Sequence, residues 1–364
     1  MVIFVNATAA SEIGGLKTIV DQFIDSIHYY DTENDYYIFV SPKYTYSKEL
    51  PNCHFIRVDA KSTLKRIKWD YLGMKKWSER YNIYPDKIVS LQNTGVLFNN
   101  VQQIIYLHTP IPFVEYKWNL WKKNERRLWF YKKIYPYFIK STLNKNTLLV
   151  VQSNWLKETV SNFFKISRDS VLVNVPSIHD NVDNIERSIN EKHTKERYFY
   201  PAADYKYKNH EIIIEALRLL KVNNFSRYKS IEVVFTLDKN SYVNKLALNA
   251  GVLDKLVFIG KLDKSEMIKM YQSSNAILFP SYIETFGLPL IEAAAFGKSI
   301  YCSEERYARE VIGEYKGVKF INPFISKDWE KVFTEDYKEY APFNRTQAYE
   351  SWSELFGRIR HGAN

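Results

Sequence analysis

Residues 276–303 read AILFPSYIETFGLPLIEAAAFGKSIYCS and combine two apolar runs with a proline- and glycine-containing segment between them. The stretch opens with apolar residues, 276–279, that stop at a proline, which predicts a buried parallel strand. After a loop, Pro289 suits the first position of a helix because its missing N–H would be unpaired there, and Gly297 suits the helix end. Residues 299–302 predict the next strand. A strand, loop, helix and strand in this order predict a parallel α/β sheet, which binds ligands where its strands end.

The loop before this helix carries groups suited to a phosphorylated sugar. The N–H groups of Phe286, Gly287 and Leu288 at a helix N-terminus attract an anion, and a glycine lets a phosphate approach the backbone closely. Two carboxylates, Glu284 and Glu292, lie one in the loop and one in the first helical turns. Carboxylates beside an anionic ligand accept hydrogen bonds from hydroxyls rather than bind charge, so the loop predicts contacts with sugar or ribose rings.

The sequence around the two glutamates resembles the signature of family-four retaining glycosyltransferases of the GT-B fold (glycosyltransferase group 1), of the bacterial polysaccharide and O-antigen type. That signature reads P-S-x-x-E-x-F-G-L-P-x-x-E-A. The matching positions are Pro280, Ser281, Glu284, Phe286, Gly287, Leu288, Pro289, Glu292 and Ala293. The resemblance implies two Rossmann-like α/β domains with doubly wound parallel sheets that face a cleft. It also implies transfer of a sugar from a nucleotide-diphosphate donor to a hydroxyl acceptor, with retention at the anomeric carbon.

The length and composition of the chain allow two domains. Its 364 residues are 46% hydrophobic, which suffices for two cores. We expect an N-terminal acceptor-binding domain over residues 1–180 and a C-terminal nucleotide-sugar-binding domain over residues 181–345. By the same resemblance, residues 346–364 form a helix that returns to the N-terminal domain.

Other features favour a cytoplasmic enzyme without a metal. No apolar run reaches about eighteen residues and no basic-then-apolar leader opens the chain, so we expect neither a spanning nor a secreted protein. The two cysteines, Cys53 and Cys302, lack metal-ligand spacing, which suits a reducing compartment. The D-x-D pair that usually binds a metal-bound diphosphate is absent from the sequence. We therefore expect no cofactor and no metal ion.

The predicted N-terminal half offers two candidate ligand contacts. Gly14 and Gly15 stand between the predicted strand 2–5 and a helix, where a glycine pair lets a ligand approach the backbone, although a plain tight turn explains it equally well. His108 follows the apolar residues 104–107, which places it at the carboxyl end of a predicted strand. A lone histidine is more often structural. The family, however, has a glycine pair that faces the donor and a histidine that contacts the transferred sugar.

Basic residues and tryptophans are concentrated in residues 115–145 and again in residues 61–77. As an amphipathic helix, the first stretch would carry Trp118 and Trp121 on one stripe and most of its cations elsewhere. Such a surface favours an anionic membrane. A solvated helix whose tryptophans pack on the domain explains the pattern equally well. The net charge of +10 would also suit nucleic acid, but no nucleic-acid-binding motif is present and we expect no such partner.

A turn in the predicted C-terminal domain resembles the phosphate-binding turn of the family. Lys208 and Asn209 match its second part. Ala202 and Ala203 stand where the family has Gly and Arg, so half of the usual cation pair is missing. Lys206 is the candidate replacement, although a lysine is a point charge and lacks the bidentate fork of an arginine.

The resemblance completes the candidate site. The catalytic set is His108, Glu284 and Lys208. The donor-binding set is Gly14, Gly15, Lys206, Asn209, Gly260, Lys261, Thr285, Phe286, Gly287, Leu288 and Glu292. Gly260 and Lys261 would lie against the nucleotide base, and Glu292 would bind the ribose hydroxyls. Lys208 would stabilise the charge that builds on the leaving diphosphate, and Glu284 would bind hydroxyls of the transferred sugar.

The acceptor implied by this family and by the basic surface is a lipid-linked saccharide, used at the inner face of the cell membrane in cell-surface polysaccharide synthesis. Two alternatives stay open. One is a non-catalytic GT-B partner protein that binds a nucleotide sugar, which the missing arginine makes plausible. The other is a GT-B epimerase, which would convert the nucleotide sugar without any acceptor. The fold does not decide among these functions.

Overall fold

The structure of the protein, a computed structural model, describes residues 1–10, 15–60, 62–98, 100–175, 194–343 and 348–361. These residues belong to two compact units. The first unit comprises Met1–Ser177 and Thr346–Asn364, and the second unit comprises Ile178–Arg345.

A seven-stranded parallel sheet forms the middle of the first unit. Its strands are β1 (Val2–Ala7), β2 (Asp35–Val40), β3 (Cys53–Arg57), β4 (Lys87–Ser90), β5 (Gln102–Tyr106), β6 (Thr147–Val151) and β7 (Val171–Val173). They lie in the order β3-β2-β1-β4-β5-β6-β7, and each neighbouring pair is parallel. The chain winds outward in both directions from β1 and β4. The topological switch point, where open α/β sheets bind ligands, therefore lies between these two strands.

Helices cover both faces of this sheet. They are α1 (Gly15–Tyr30), α2 (Thr63–Lys68), α3 (Met74–Tyr81), α4 (Arg126–Lys133), α5 (Tyr135–Ser141) and α6 (Asn154–Phe164). Between α2 and α3, residues Trp69–Gly73 form a π-helical turn. Successive residues of β1 enter different cores: Ile3 and Val5 pack in the cluster that contains the apolar residues of α1, whereas Phe4 packs with Trp77 of α3. Burial on both faces explains why β1 begins with a continuous apolar run in the sequence.

A six-stranded parallel sheet forms the second unit. Its strands are β8 (Glu196–Tyr200), β9 (Ile231–Phe235), β10 (Leu256–Phe258), β11 (Ala276–Phe279), β12 (Ser299–Ser303) and β13 (Val318–Ile321). The order β10-β9-β8-β11-β12-β13 places the switch point between β8 and β11. The helices are α7 (His210–Asn223), α8 (Phe225–Ser230), α9 (Tyr242–Asn249), α10 (Lys264–Ser273), α11 (Leu288–Ala295), α12 (Arg306–Ile312) and α13 (Ser326–Val332). The loops that follow β8 and β11 thus meet at the ligand-binding edge.

The last helix, α14 (Ala348–His361), packs on the first unit. The ring of Phe356 stacks on Phe23 of α1, with centroids 5.2 Å apart. Trp352, Leu355 and Ile359 are buried in the same core as β1. Because these four residues recur at helical spacing on one face, the helix is held by its apolar stripe.

The predicted fold class, two doubly wound parallel-sheet domains, is confirmed. The prediction lacks β4 and β13. Each has four residues and contains a lysine, Lys87 in β4 and Lys319 in β13, so neither forms an apolar run long enough to recognise.

The structure corrects the amphipathic helix expected over residues 115–145. Helix α4 begins only at Arg126, and turns precede it. The side chain of Asn119 accepts a hydrogen bond from the backbone N–H of Trp121 at 2.8 Å, and the side chain of Glu125 accepts one from the N–H of Asn119 at 2.8 Å. These local bonds hold the backbone in turns and compete with a helix. The expected stripe of tryptophans therefore does not form.

Candidate functional site

An ion pair joins the two loops at the switch point of the second unit. Lys208 follows β8 in the 3₁₀ turn Lys206–Lys208, and Glu284 follows β11. The ammonium group of Lys208 donates to Oε1 of Glu284, and their side chains are only 16% and 14% exposed. The same ammonium lies 5.7 Å from the ring centroid of Phe279, within reach of a cation–π interaction. Two residues from the predicted catalytic set, 76 positions apart in sequence, are thus in contact.

Several hydrogen bonds fix the turn that carries Lys208. Asn209 has a left-handed backbone, with φ 58°, and its Nδ2 donates to the carbonyl oxygens of Pro280 at 3.3 Å and Pro323 at 2.7 Å. The N–H of Tyr282 donates to the carbonyl of Tyr207 at 3.0 Å. The predicted donor residue Asn209 therefore acts on the backbone, since it ties the turn to the loops after β11 and β13.

The helix that follows Glu284 begins at Leu288, with Gly287 immediately before it. Gly287 has φ +92°, in the left-handed region, and a Cβ there would lie 3.2 Å from Leu290 Cδ1 and 3.3 Å from Tyr307 Cε2. Only glycine fits this position without strain. Pro289 is the second residue of the helix, one place later than the sequence predicts. The helix begins four residues after Glu284 and presents the positive end of its dipole there.

Glu292 lies one helical turn further along α11 and is partly buried. The hydroxyl of Tyr271 in α10 donates to its Oε2 at 2.7 Å. Burial raises the pKa of the Glu292 carboxyl, and the bond from Tyr271 and the charge of Lys264 oppose that rise. Tyr271 orients the carboxylate, and sequence reasoning misses it because it belongs to another helix.

The candidate replacement cation, Lys206, has a different partner. Its ammonium forms an ion pair with Glu211 in the first turn of α7. Ala203 is exposed, and the backbone N–H of Ala202 donates to Thr236 Oγ1 at 3.0 Å. Of the two lysines in this turn, Lys208 is thus paired with Glu284 and Lys206 with Glu211.

The remaining donor-binding candidates lie near the ends of their strands. Gly260 has φ +76° and open space where a Cβ would be, while its N–H donates to Leu237 O at 3.0 Å. Lys261 beside it is exposed. Thr285 is partly exposed and Phe286 is buried.

In the first unit, His108 follows β5 and its ring stacks on Tyr106 with centroids 4.5 Å apart. Its Nε2 lies 3.0 Å from Leu91 O, so Nε2 carries the proton because a carbonyl only accepts. Burial lowers the pKa of His108 to about 4, although the bond to Leu91 partly opposes this shift. The ring is therefore neutral near pH 7 and its Nδ1 is an acceptor.

The backbone around His108 is held by Asn93. Oδ1 of Asn93 accepts from the N–H groups of His108 at 2.6 Å and Thr109 at 3.0 Å. Of the glycine pair, Gly15 is the first residue of α1, and Gly14 lies outside the described residues.

No group of three or more His, Cys, Asp and Glu side chains is placed to hold a metal ion among the residues that the structure describes. Within the same residues, no helix combines the length and the apolar character that crossing a membrane requires.

Two parallel sheets, each with charged or polar groups at its switch point, define the class as a two-domain protein of the GT-B fold. Residues 181–334 match the family "Glycosyl transferases group 1". This matched stretch contains Lys208, Glu284 and Glu292.

Several known proteins are similar to this chain. The O-antigen chain mannosyltransferase RfbU of Salmonella typhimurium strain LT2 is 23% identical over 56% of this chain and 55% of its own length. An uncharacterized glycosyltransferase of Methanocaldococcus jannaschii, MJ1607, is 25% identical over 56% of each chain. The chain thus spans about half the length of these relatives. The crystal structure of WaaG, a glycosyltransferase involved in lipopolysaccharide biosynthesis, aligns with a TM-score of 0.69 and 14% identity over 100% of this chain and 95% of that one, which shows a shared fold.

Proposed function

We propose that this protein is a retaining glycosyltransferase that moves a sugar from a nucleotide-diphosphate donor to a hydroxyl acceptor. The observation that carries the proposal is the Lys208–Glu284 pair at the switch point of the second unit, with α11 beginning four residues after Glu284. The cation and the helix dipole suit a diphosphate, and the carboxylate suits sugar hydroxyls. The group 1 family match over these residues supports the same chemistry.

In this proposal the bound donor breaks the contact between Lys208 and Glu284 and replaces it with a contact to each residue. The diphosphate accepts hydrogen bonds from Lys208 and from the start of α11, which stabilises the charge that develops as the bond to the anomeric carbon breaks. Glu284, released from Lys208, accepts hydrogen bonds from the sugar. Glu292, oriented by Tyr271, accepts them from the ribose. The acceptor hydroxyl attacks on the face that the diphosphate leaves and gives its proton to a leaving phosphate oxygen, so configuration is retained without a covalent enzyme intermediate.

His108 is proposed to contact the transferred sugar through Nδ1. Because Nε2 is committed to Leu91 O, the unprotonated Nδ1 accepts a hydrogen bond from a sugar hydroxyl. The low pKa of His108 keeps this acceptor available at neutral pH. The proposal needs no metal ion, since Lys208 and the helix start supply the positive charge.

The donor and the reaction can be tested in two steps. A thermal-shift panel of UDP, GDP, dTDP, CDP and ADP, with and without Mg²⁺, should select one nucleotide, and the shift should be independent of the metal. The matching nucleotide sugars are then incubated with acceptor saccharides, and the product is analysed by NMR. Transfer with the donor's anomeric configuration supports the proposal. Donor conversion without an acceptor would indicate an epimerase, and binding without turnover would indicate a non-catalytic protein.

We further propose that the acceptor is a lipid-linked saccharide in polysaccharide synthesis, reached from the membrane surface. The first unit has an exposed basic and aromatic surface around α4 and α5. Trp121 is 84% exposed and Tyr137 is 72% exposed. Its exposed basic residues include Lys122, Lys123, Arg126 and Arg127. Tryptophan and tyrosine suit the membrane interface, and each cation near an anionic surface contributes about 1 kcal/mol.

The second basic, tryptophan-containing stretch, residues 61–77, does not expose its tryptophans in the same way. Trp69 and Trp77 point inward and pack on Phe39, with ring centroids 5.3 Å and 4.9 Å away. Those two tryptophans belong to the core, so only the surface around α4 and α5 enters the membrane proposal.

Flotation with vesicles that contain anionic lipid tests this surface. Replacement by alanine of Lys122, Lys123, Arg126 and Arg127 should release the protein from the vesicles and slow transfer to a lipid-linked acceptor, but not to a short soluble one. The matched control replaces an equal number of exposed lysines of the second unit, Lys229, Lys239, Lys245 and Lys269. If both variants lost flotation equally, net charge alone would explain vesicle binding, and the proposal of a specific membrane-binding surface around α4 and α5 would be wrong.

A further inference from the structure

A buried carboxylate that the proposed reaction does not use lies in the first unit. Asp70 is 3% exposed and belongs to the π-helical turn Trp69–Gly73. Three side chains donate to it: Asn6 Nδ2 at 2.8 Å, Gln92 Nε2 at 3.0 Å and Thr94 Oγ1 at 2.8 Å. A buried carboxylate requires such partners, because desolvation of its charge is costly.

The position of this network is the ligand-binding edge of the sheet. Asn6 is near the end of β1, and Gln92 and Thr94 follow the end of β4. These two strands flank the switch point of the first unit. Asp70 reaches this point from a π-helical turn, a rare conformation that occurs frequently at functional sites.

The loop after β4 connects Asp70 with His108. Side chains of Gln92 and Thr94 bond to Asp70. Asn93 lies between these two residues, and its Oδ1 accepts a hydrogen bond from the backbone N–H of His108. Leu91 precedes them, and its carbonyl oxygen accepts a hydrogen bond from Nε2 of the His108 ring. Alternate residues of one short loop therefore bind the carboxylate and the histidine. Asn93 also has φ 48°, an unfavourable backbone conformation for most residues that its neighbours must maintain.

The same network fixes the backbone after β1. Oε1 of Gln92 accepts from the N–H of Ala9 at 2.9 Å and from Thr8 Oγ1 at 3.0 Å. Since Nε2 of Gln92 donates to Asp70, the carboxylate determines which way the amide of Gln92 faces. Loss of the acceptor at Asp70 would thus affect the loops on both sides of the switch point.

We propose that Asp70 is a positioning residue: through Gln92 and Thr94, its carboxylate holds the loop after β4 so that Leu91 and Asn93 keep the His108 ring in the orientation that binds sugar. The catalytic consequence rests on the function proposed above, whereas the orientation of His108 does not. Asp70 itself touches no reacting atom.

Protonation of Asp70 perturbs this arrangement. Burial raises the pKa of its carboxyl to about 7, although the three hydrogen bonds oppose the shift. The positive charge of Arg66 in α2 also lowers the pKa of Asp70. The charge of Asp70 in turn raises the pKa of the Tyr135 hydroxyl in α5. A proton on Asp70 turns one accepting oxygen into a hydrogen-bond donor, so the bond made there must weaken or, at the Thr94 hydroxyl, reverse its direction. The orientation of His108 should therefore change with a midpoint near pH 7.

The test compares Asp70→Asn with Asp31→Asn. Asp31 is also 3% exposed and accepts from Asn34 Nδ2 at 2.9 Å and Tyr36 Oη at 2.7 Å, but it precedes β2 at the opposite edge of the sheet. The imidazole signals of His108, identified by their loss in His108→Gln, are followed by nitrogen NMR from pH 5.5 to 8.5. In the wild type we expect the Nε2–H form and a shift with a midpoint near pH 7. In Asp70→Asn the shift should vanish and the second tautomer should appear, while Asp31→Asn should resemble the wild type.

Kinetics supply the second readout. Asp70→Asn should lower kcat ten- to a hundredfold, remove the decline of kcat below pH 7, and leave nucleoside diphosphate binding by the second unit unchanged. Asp31→Asn should keep the wild-type kcat and its pH profile. His108 signals in Asp70→Asn that match the wild type in tautomer and titration would overturn the proposal. If no donor and acceptor pair gives transfer, the proposed function fails, but the NMR comparison still decides the role of Asp70.

Discussion

Replacing Glu284 by Gln should strengthen the binding of a free nucleoside diphosphate while it slows transfer strongly. In the structure the ammonium of Lys208 is already paired with Glu284, and both side chains are mostly buried. A diphosphate must therefore compete with Glu284 for Lys208, and it brings no sugar hydroxyl to compensate the carboxylate. Glutamine keeps the size of the side chain but removes its charge, so Lys208 becomes available to the phosphates.

The size of this effect follows from the ion pair. A hydrogen bond between charged groups contributes roughly 1.5–3 kcal/mol, and the amide of glutamine retains part of it as a neutral acceptor. About 1.4 kcal/mol of the competition should vanish, which corresponds to roughly tenfold tighter binding. The complete nucleotide sugar gains less, because it loses the hydroxyl contacts with the Glu284 carboxylate. Transfer should fall by about a hundredfold or more, since removal of one group that stabilises a transition state costs about 2.7–4 kcal/mol.

Isothermal titration calorimetry with the nucleotide selected by the thermal-shift panel measures the affinity. The control is Glu211→Gln, which frees the neighbouring Lys206 in the same way. If net charge alone matters, both variants will bind more tightly by the same factor. The double variant Lys208→Gln/Glu284→Gln should lose the gain. Unchanged or weaker diphosphate binding in Glu284→Gln would refute the proposed competition for Lys208.

Three further predictions concern stability. Burial raises the pKa of Asp70 to about 7 in the folded protein, which therefore binds this proton more tightly than the unfolded chain does. The free energy of unfolding should consequently fall by about 2 kcal/mol between pH 5.5 and pH 7. Urea titrations should show this fall in the wild type, and its absence in Asp70→Asn is the control. Gly287→Ala should lower the free energy of unfolding by about 1–3 kcal/mol and weaken diphosphate binding, because φ is +92° and the new methyl group would press on Leu290. A melting temperature and a diphosphate affinity equal to those of the wild type would contradict this prediction. Phe356→Ala should cost about 3–5 kcal/mol in urea unfolding, since the ring is fully buried against Phe23, and a loss below about 1 kcal/mol would mean that α14 packs loosely.

How much of the fold is predictable depends on strand length and burial. Strands such as β1 and β11 are buried on both faces and appear in the sequence as apolar runs that end at polar or proline residues. The edge strand β13 escapes prediction because Lys319 is exposed in its middle. The helix expected before Arg126 fails for another reason. Side chains such as Asn119 bond to nearby backbone groups, and periodicity alone does not reveal that competition.

The candidate site shows the same division between local and distant information. Gly287 and Glu284 are predictable because the loop and the helix start are contiguous in sequence. The bond from Tyr271 to Glu292 and the role of Asn93 beside His108 depend on which elements the sheet order brings together. Asp70 is the extreme case, because a lone aspartate within a basic stretch gives no signal before the strand ends at the switch point are known.

The charges of the turn Lys206–Lys208 and its neighbours suggest how the proposed enzyme would release its product. Lys206 is paired with Glu211 and Lys208 with Glu284, while Ala203 offers no cation. The turn therefore has little net positive charge before a ligand arrives. In the proposed reaction, a nucleotide sugar would replace both halves of the Lys208–Glu284 pair, because its phosphate would bind the lysine and its hydroxyls the glutamate. The nucleoside diphosphate left after transfer would replace only one half, so re-formation of the ion pair would favour its departure. An arginine at position 203 would add a cation that no carboxylate balances and would hold the product more tightly.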